Sequence, residues 1–546
     1  MKIALAQLNY HIGNFEGNLR KMLDAVARAK AGGADLICFA ELATCGYPPR
    51  DFLEFEDFIR LADETVHRLA EAAEGIVIIA GSPTKNPVPE GKDLYNSAYV
   101  LADKKIAAIR HKALLPNYDV FDEYRYFEPA TEFESVEILG KRIALTVCED
   151  IWNIGNENPL YTTCPMDHLI QEQPDFMINI SASPFNYNNP VSRTHVVRSN
   201  VNRYGVPMFY VNHCGAQTEL IFDGGSMVMC ANGQLFDRLP YFEEDLRIYE
   251  LDEVMTASRQ TDDASPSKME LIHDALVLGL RDYFGKLGFR KAVIGLSGGI
   301  DSALTAALTV TALGSENVRG VLMPSQFSSD HSVADAVQLS ENLGIHHEIV
   351  PIAPVYDSFE TALAPAFEGL PFNIAEENIQ ARIRGTLLMG FSNKFGEILL
   401  NTSNKSEMAV GYGTLYGDMC GGLSVIGDLY KTEVYELARW INREREIIPE
   451  NTLTKAPSAE LRPDQKDADS LPDYAILDAI LFQYIENRKS PGAIIQMGFE
   501  ENLVRRVLRL VNTNEFKRYQ TAPVLRVSTK AFGMGRRMPI VGKYLS

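Results

Sequence analysis

Glu41, Lys112 and Cys148 are residues whose types could together cut an amide. Each stands where an apolar, strand-like run ends: 36–40 before Glu41, 106–110 before Lys112 and 143–147 before Cys148. A thiol attacks a carbonyl as thiolate, so it needs a base or a cation beside it. A carboxylate can take the thiol proton, and an ammonium can stabilise the oxyanion of the tetrahedral intermediate. Spacing alone leaves this open, because a cysteine at a buried strand end is most often inert core. Cys38 and Cys45 are rival thiols. Cys38 lies within a strand and Cys45 in a turn without a second acidic neighbour, so both read as structural.

A second constellation is Gly295, Leu296, Ser297, Gly298, Gly299, Ile300, Asp301 and Ser302. It follows an apolar run at 292–296 and opens a helical pattern at 303–313. The glycines let the backbone approach a ligand closely, and serine hydroxyls with free helix N–H groups make an anion site. No lysine follows the second glycine, so this is not a Walker A loop. Asp301 adds a hard oxygen donor of the kind Mg²⁺ prefers beside phosphates.

The elements around these residues read as two layered units. Segments 2–8, 36–40, 76–80, 143–147 and 176–180 have strand character. Helices are expected over 18–31, stopped by Gly32 and Gly33, and over 51–74. Antiparallel strands are expected at 95–101 and 105–111, giving an α/β or α+β core with a mixed sheet. Polar turn residues near 259–268 mark a linker, set at 261–268 between domains 1–260 and 269–546. Beyond it a helix over 269–287 precedes strands at 292–296, 318–323, 348–351 and 397–400. That alternation predicts a doubly wound parallel α/β domain, whose ligands sit beyond the carboxyl ends of the strands.

Composition narrows the class. The 546 residues carry 52 Lys+Arg against 72 Asp+Glu, a formal charge of −20, which disfavours a basic nucleic-acid face but leaves room for a local phosphate pocket. The length calls for more than one core. No apolar run reaches the roughly 18 residues that span a bilayer, and the N-terminus reads as a buried strand. Seven cysteines without paired spacing point to a reducing compartment. The expectation is a soluble cytoplasmic protein with no nucleic-acid or membrane partner.

The local strings are more specific. Phe39-Ala-Glu41-Leu-Ala-Thr-Cys-Gly-Tyr-Pro-Pro49, Lys112-Ala-Leu-Leu-Pro-Asn-Tyr118 and Cys148-Glu-Asp-Ile-Trp152 resemble the glutamine-hydrolysing branch of the nitrilase (carbon–nitrogen hydrolase) superfamily. The resemblance implies an α-β-β-α sandwich with Cys148 as nucleophile, Glu41 as general base and Lys112 as oxyanion stabiliser. It further implies Tyr118 and Ser183 as glutamine contacts, with Glu123 supporting Lys112. One departure stands out: relatives show a Gly-Lys pair after the Ser-Pro-Phe string, whereas this chain has Asn188-Asn189-Pro190. Arg193 is a candidate replacement.

In the second half, the Ser-Gly-Gly-Ile-Asp-Ser string resembles the pyrophosphate-binding loop of N-type ATP pyrophosphatases. Glu377-Asn378, Asn401-Thr402, Lys405-Ser-Glu407, Lys455-Ala-Pro-Ser458 and Phe516-Lys517-Arg518 resemble NAD synthetase. The resemblance implies that 295–302, Thr402, Lys455 and Ser458 meet ATP. Asn378, Glu407 and Lys517 would meet deamido-NAD, with Asp301 and Glu407 on Mg²⁺. Together the halves imply that glutamine supplies ammonia for amidating an adenylated deamido-NAD, through a water-poor passage, in a homo-oligomer without a prosthetic group. Three rivals are an amidotransferase acting on another carboxylate or nucleotide, a tRNA-modifying enzyme, and a non-catalytic sensor with degenerate sites.

Overall fold

The computed structural model describes residues 1–154, 160–257, 261, 264, 266–463 and 465–545. It divides into two compact units, Met1–Pro266 and Ser267–Ser546. Part of the linker expected at 261–268 lies outside the described residues, and the helix after it begins at Lys268.

The first unit holds two six-stranded mixed sheets. In one the order is Asp245–Glu250, Lys2–Gln7, Leu36–Cys38, Val77–Lys85, Leu94–Ala102, Lys105–His111. In the other it is Leu235–Arg238, Met227–Met229, Met208–Asn212, Phe176–Ser181, Lys141–Val147, Val136–Ile138. Side chains alternate across a strand, and the sequence uses both faces. Ile3 and Leu5 join Val147, Ile178 and Phe209 in the core between the sheets. Ala4 and Ala6 turn outward to Leu19, Met22 and Val66 of the helices Phe15–Ala31 and Glu56–Ala70. Met177 and Tyr210 turn the other way to Val197 and Val201 of the helix Asn189–Tyr204. Helix, sheet, sheet and helix thus stack in four layers.

The single helix expected over 51–74 is broken. A 3₁₀ turn, Arg50–Glu54, ends at Phe55, whose extended backbone (φ −95°, ψ 120°) restarts the chain as the helix Glu56–Ala70.

The second unit is built on a five-stranded sheet, paired in parallel throughout. Its order is His346–Ile349, Val318–Leu322, Ala292–Gly295, Ile398–Asn401, Leu423–Ser424, which is 3-2-1-4-5 along this unit. Val293 and Leu399 pack with Ile383 and Leu388 of the helix Ile374–Phe395. Ala292 and Ile294, on the opposite face by the two-residue period, are equally buried. A sheet covered on both faces is the doubly wound arrangement. Its chain order reverses between the first and fourth strands, where such sheets open a ligand crevice. A smaller helical core, including Leu477, Leu481, Val504 and Val507, completes the unit.

Candidate functional sites

In the first unit the chain after Lys105–His111 delivers Lys112, and the chain after Lys141–Val147 delivers Cys148. Glu41 stands three residues beyond the strand Leu36–Cys38, later than the apolar run suggested. The Lys112 ammonium donates to Glu41 Oε1 at 2.7 Å and to both Glu123 oxygens at 2.9 and 2.8 Å. Asn96 Nδ2 donates to the same Glu41 oxygen at 2.7 Å, and the Ala182 N–H fills Oε2 at 2.9 Å. The Tyr47 hydroxyl donates to Glu123 Oε1 at 2.7 Å. Glu41 and Lys112 are wholly buried, and Cys148 is 4% exposed.

Charge in this pocket follows from burial. Desolvation alone would discharge Lys112, but Glu123 and Glu41 hold it charged, well above the usual lysine range. Burial pushes the Glu123 carboxyl up to about 7 against the pull of Lys112. The Cys148 thiol is raised well above its ordinary value, by burial first and Glu41 next, with Lys112 opposing. A thiol in that state is protonated at rest, so attack on a carbonyl must be coupled to transfer of its proton to a neighbour. Cys38 and Cys45 are raised by burial too, but no charged side chain is among the causes. All seven cysteines are free thiols.

Cys148 opens the short 3₁₀ turn Cys148–Ile151 with φ +45°, a left-handed conformation rare for a residue with a Cβ. Beside it, Glu149 Oε1 accepts from the hydroxyls of Tyr118 at 2.9 Å and Tyr161 at 2.7 Å. Ser183 is buried, its N–H bonded to Asn212 Oδ1 at 2.9 Å. Asn189 bonds the Pro184 carbonyl at 2.6 Å. Arg193 is buried in an ion pair with Asp223, so it is no exposed cation for a carboxylate ligand.

In the second unit a cavity of about 310 Å³ lies beyond the carboxyl ends of Ala292–Gly295 and Ile398–Asn401. Gly295, Leu296, Ser297, Gly299, Ile300, Asp301 and Ser302 line it, with Thr402, Glu407, Lys455 and Ser458. Gly298 does not line it. Its φ is +78°, and a Cβ there would stand 2.2 Å from the Ser332 carbonyl oxygen, so only glycine fits the turn. The Ser297 and Ser302 hydroxyls meet at 3.2 Å across the loop, and Gly299 caps the helix Ile300–Leu313.

Asn378 and Lys517 lie outside the lining. Asn378 Oδ1 accepts from the Thr414 hydroxyl at 2.6 Å, and Lys517 donates to the carbonyls of Gly411 and Gly413 at 2.7 and 2.8 Å. Both therefore fasten the 411–418 segment, from which Tyr412 and Asp418 do reach the cavity. Lys455 is paired with Asp335 at 2.8 Å, and the Ser458 hydroxyl donates to the Gln465 carbonyl at 2.5 Å.

Lys431 escapes a motif search. Its buried ammonium joins Asp301 Oδ2 and, at 3.4 Å, Glu407 Oε1; Asn404 holds the other Asp301 oxygen at 2.8 Å. Burial raises the Glu407 carboxyl to about 8 against the pull of Lys431. One signal was available. Lys431 is the first residue of the helix Lys431–Ile441, where a cation opposes the helix dipole and needs a specific anionic partner.

Residues 2–260 match the carbon-nitrogen hydrolase family and residues 272–521 the NAD synthase family. The chain is 47% identical to the glutamine-dependent NAD(+) synthetase of Synechocystis sp., over 98% of each. The chain belongs to the glutamine-dependent NAD(+) synthetases. It is also 42% identical to the Thermotoga maritima member of that family, over 100% of this chain and 99% of the relative. A solved glutamine-dependent NAD+ synthetase, from Acinetobacter baumannii in complex with adenosine diphosphate, is similar at TM-score 0.77 and 39% identity. That match covers 100% of this chain and 99% of the other. Family membership fits the two units described here, one with a buried thiol among carboxylates and an ammonium, the other with a loop-lined cavity.

Proposed function

We propose that this ligase amidates deamido-NAD to NAD, with L-glutamine as nitrogen donor and ATP as co-substrate. The observation that carries the reading is that one chain holds both the Glu41–Lys112–Cys148 pocket and the cavity under the 295–302 loop.

In the first site Cys148 Sγ attacks the side-chain amide carbon of glutamine while Glu41 takes the thiol proton. Lys112 donates to the oxygen that gains charge. The C–N bond breaks, Glu41 returns the proton to the departing nitrogen, and ammonia leaves a thioester. Water, deprotonated by Glu41, then releases glutamate. Glu149, with Tyr118 and Ser183, would hold the α-substituents of glutamine, a role supported by the bond from the Tyr118 hydroxyl to Glu149 beside Cys148.

In the second site the nicotinate carboxylate attacks the α-phosphorus of ATP and pyrophosphate departs. A carboxylate is a poor acyl donor because oxide cannot leave; the mixed anhydride replaces that leaving group with AMP. Ammonia attacks the acyl carbon, AMP is expelled and NAD forms. The loop hydroxyls and the N–H groups at the start of Ile300–Leu313 meet phosphate, and Lys455 and Lys431 supply positive charge. The donor set also suits Mg²⁺. Asp301 and Glu407 converge on one cation, the Lys431 ammonium, and Mg²⁺ is commonly held by one or two carboxylates plus phosphate oxygens. When bound it would neutralise charge on the leaving pyrophosphate.

Exposed Val355, Phe359, Leu370, Phe372 and Ile374 are candidate contacts for a second copy of the chain. Free thiols support a cytoplasmic location. Among the described residues no helix is long and apolar enough to cross a membrane.

A coupled assay following NAD and glutamate together tests the reading. Equal yields from glutamine, ATP and deamido-NAD are expected. Glutamate release with no NAD would reject it.

A further inference from the structure

Asp150 has no part in the chemistry proposed above, yet its carboxylate joins the two chain segments that carry Lys112 and Cys148. Oδ1 accepts from the N–H groups of Ala113 at 3.0 Å and Leu114 at 2.9 Å, the two residues after Lys112. Oδ2 accepts from the N–H of Val147 at 3.0 Å, the residue before Cys148. The side chain is 3% exposed.

We propose that Asp150 is a positioning residue for glutamine hydrolysis, which sets the Lys112 ammonium against the Cys148 thiol and holds Cys148 in its left-handed backbone conformation. The proposal rests on the glutaminase reading of this site.

Two physical points support it. A non-glycine residue at φ +45° persists only where its surroundings over-determine it, and the bond from Val147 N–H to Asp150 closes a ring around Cys148. A buried carboxylate is costly unless well paired. This one is satisfied by three backbone donors, and its retained charge makes those bonds strong. Burial lifts the carboxyl to about 6 while the same three N–H groups oppose the rise. Asp150 does not touch a reacting atom. It acts through the placement of two groups that do.

The discriminating variant is Asp150→Asn. It keeps the size but turns an amide NH₂ toward a backbone donor. Misplacement by about 1 Å costs on the order of 100-fold in rate. The kcat for glutamine hydrolysis should therefore fall by about 100-fold, with KM for glutamine within a factor of about three. Ammonium-driven NAD formation reports the integrity of the other unit. Asp150→Glu, which keeps the charge one methylene further out, should recover part of the kcat, and it serves as second variant if the Asn form does not fold. Alkylation of Cys148 by iodoacetamide, followed by mass spectrometry, should slow in parallel with kcat. A kcat within twofold of wild type, or a loss confined to KM, would overturn the proposal. Cys148→Ala separates the two failures. If it keeps hydrolysing glutamine, the glutaminase reading itself is wrong; if it is inactive while Asp150→Asn is fully active, only the positioning role falls.

Discussion

Lys112 and Glu41 form an ion pair of 2.7 Å in which neither side chain has any exposure. Glu123 closes on the same ammonium at 2.8 Å. While Glu123 is ionised, two carboxylates around one cation leave the cluster with an excess negative charge inside the first unit. Burial first, and the Glu41 charge next, work against ionisation of Cys148 and leave the thiol waiting for a substrate carbonyl.

Removing the cation should therefore be more damaging than removing either anion. Lys112→Met leaves Glu41 and Glu123 facing one another in a dry pocket, at a cost of about 3–5 kcal/mol. A thermal melt of the full chain should show an early transition, and glutamine hydrolysis should vanish. An unchanged melt would mean that the cluster is hydrated and weakly coupled.

Glu41→Gln keeps an acceptor for Lys112 but cannot take a proton. Glutamate release should fall by about 10²–10⁴, the usual worth of a general base. A loss below tenfold would move the base elsewhere, with Glu123 the nearest alternative.

The pH profile of glutamine hydrolysis should carry an acidic limb. Burial raises both Glu123 and Asp150, so as pH falls Glu123 takes a proton first, through about 7, and Asp150 next, through about 6. Each protonation weakens the hold on Lys112 or on its chain. The kcat/KM for glutamine should therefore decline on the acid side of neutrality. A rise over that interval would contradict the sign.

Gly298→Ala probes the second unit without altering any charge. The added methyl meets the Ser332 carbonyl at a backbone conformation that favours glycine, so the loop must shift. NAD formation with ammonium as nitrogen source should drop by at least about tenfold, equivalent to about 1.4 kcal/mol of barrier. Wild-type rates would show that the loop does not contact the reacting phosphates.

Much of this was legible in the sequence because the groups concerned end strands. Apolar runs before Lys112 and Cys148, and the Gly-rich string after 292–296, located the segments, and the alternating strand and helix patterns indicated both layered units. What stayed hidden was pairing across long separations. Asn96 reaches Glu41 across 55 residues and Lys431 reaches Asp301 across 130. No local pattern encodes such contacts, which follow only from strand order. The interruption at Phe55 was equally silent, since the helical spacing of apolar residues runs on through it. Asn378 and Lys517 are expected as ligand contacts only through the family resemblance, and their resting hydrogen bonds hold a loop. Asp150 sat in plain view beside Cys148, but its partners after Lys112 are 36 and 37 residues away.

The most direct test of a divided chemistry is NAD formation by Cys148→Ala with glutamine and, separately, with ammonium as nitrogen source. Glutamine should give no NAD, and ammonium should give NAD at near-wild-type rates. NAD formed from glutamine, or lost with both sources in a folded protein, would contradict it.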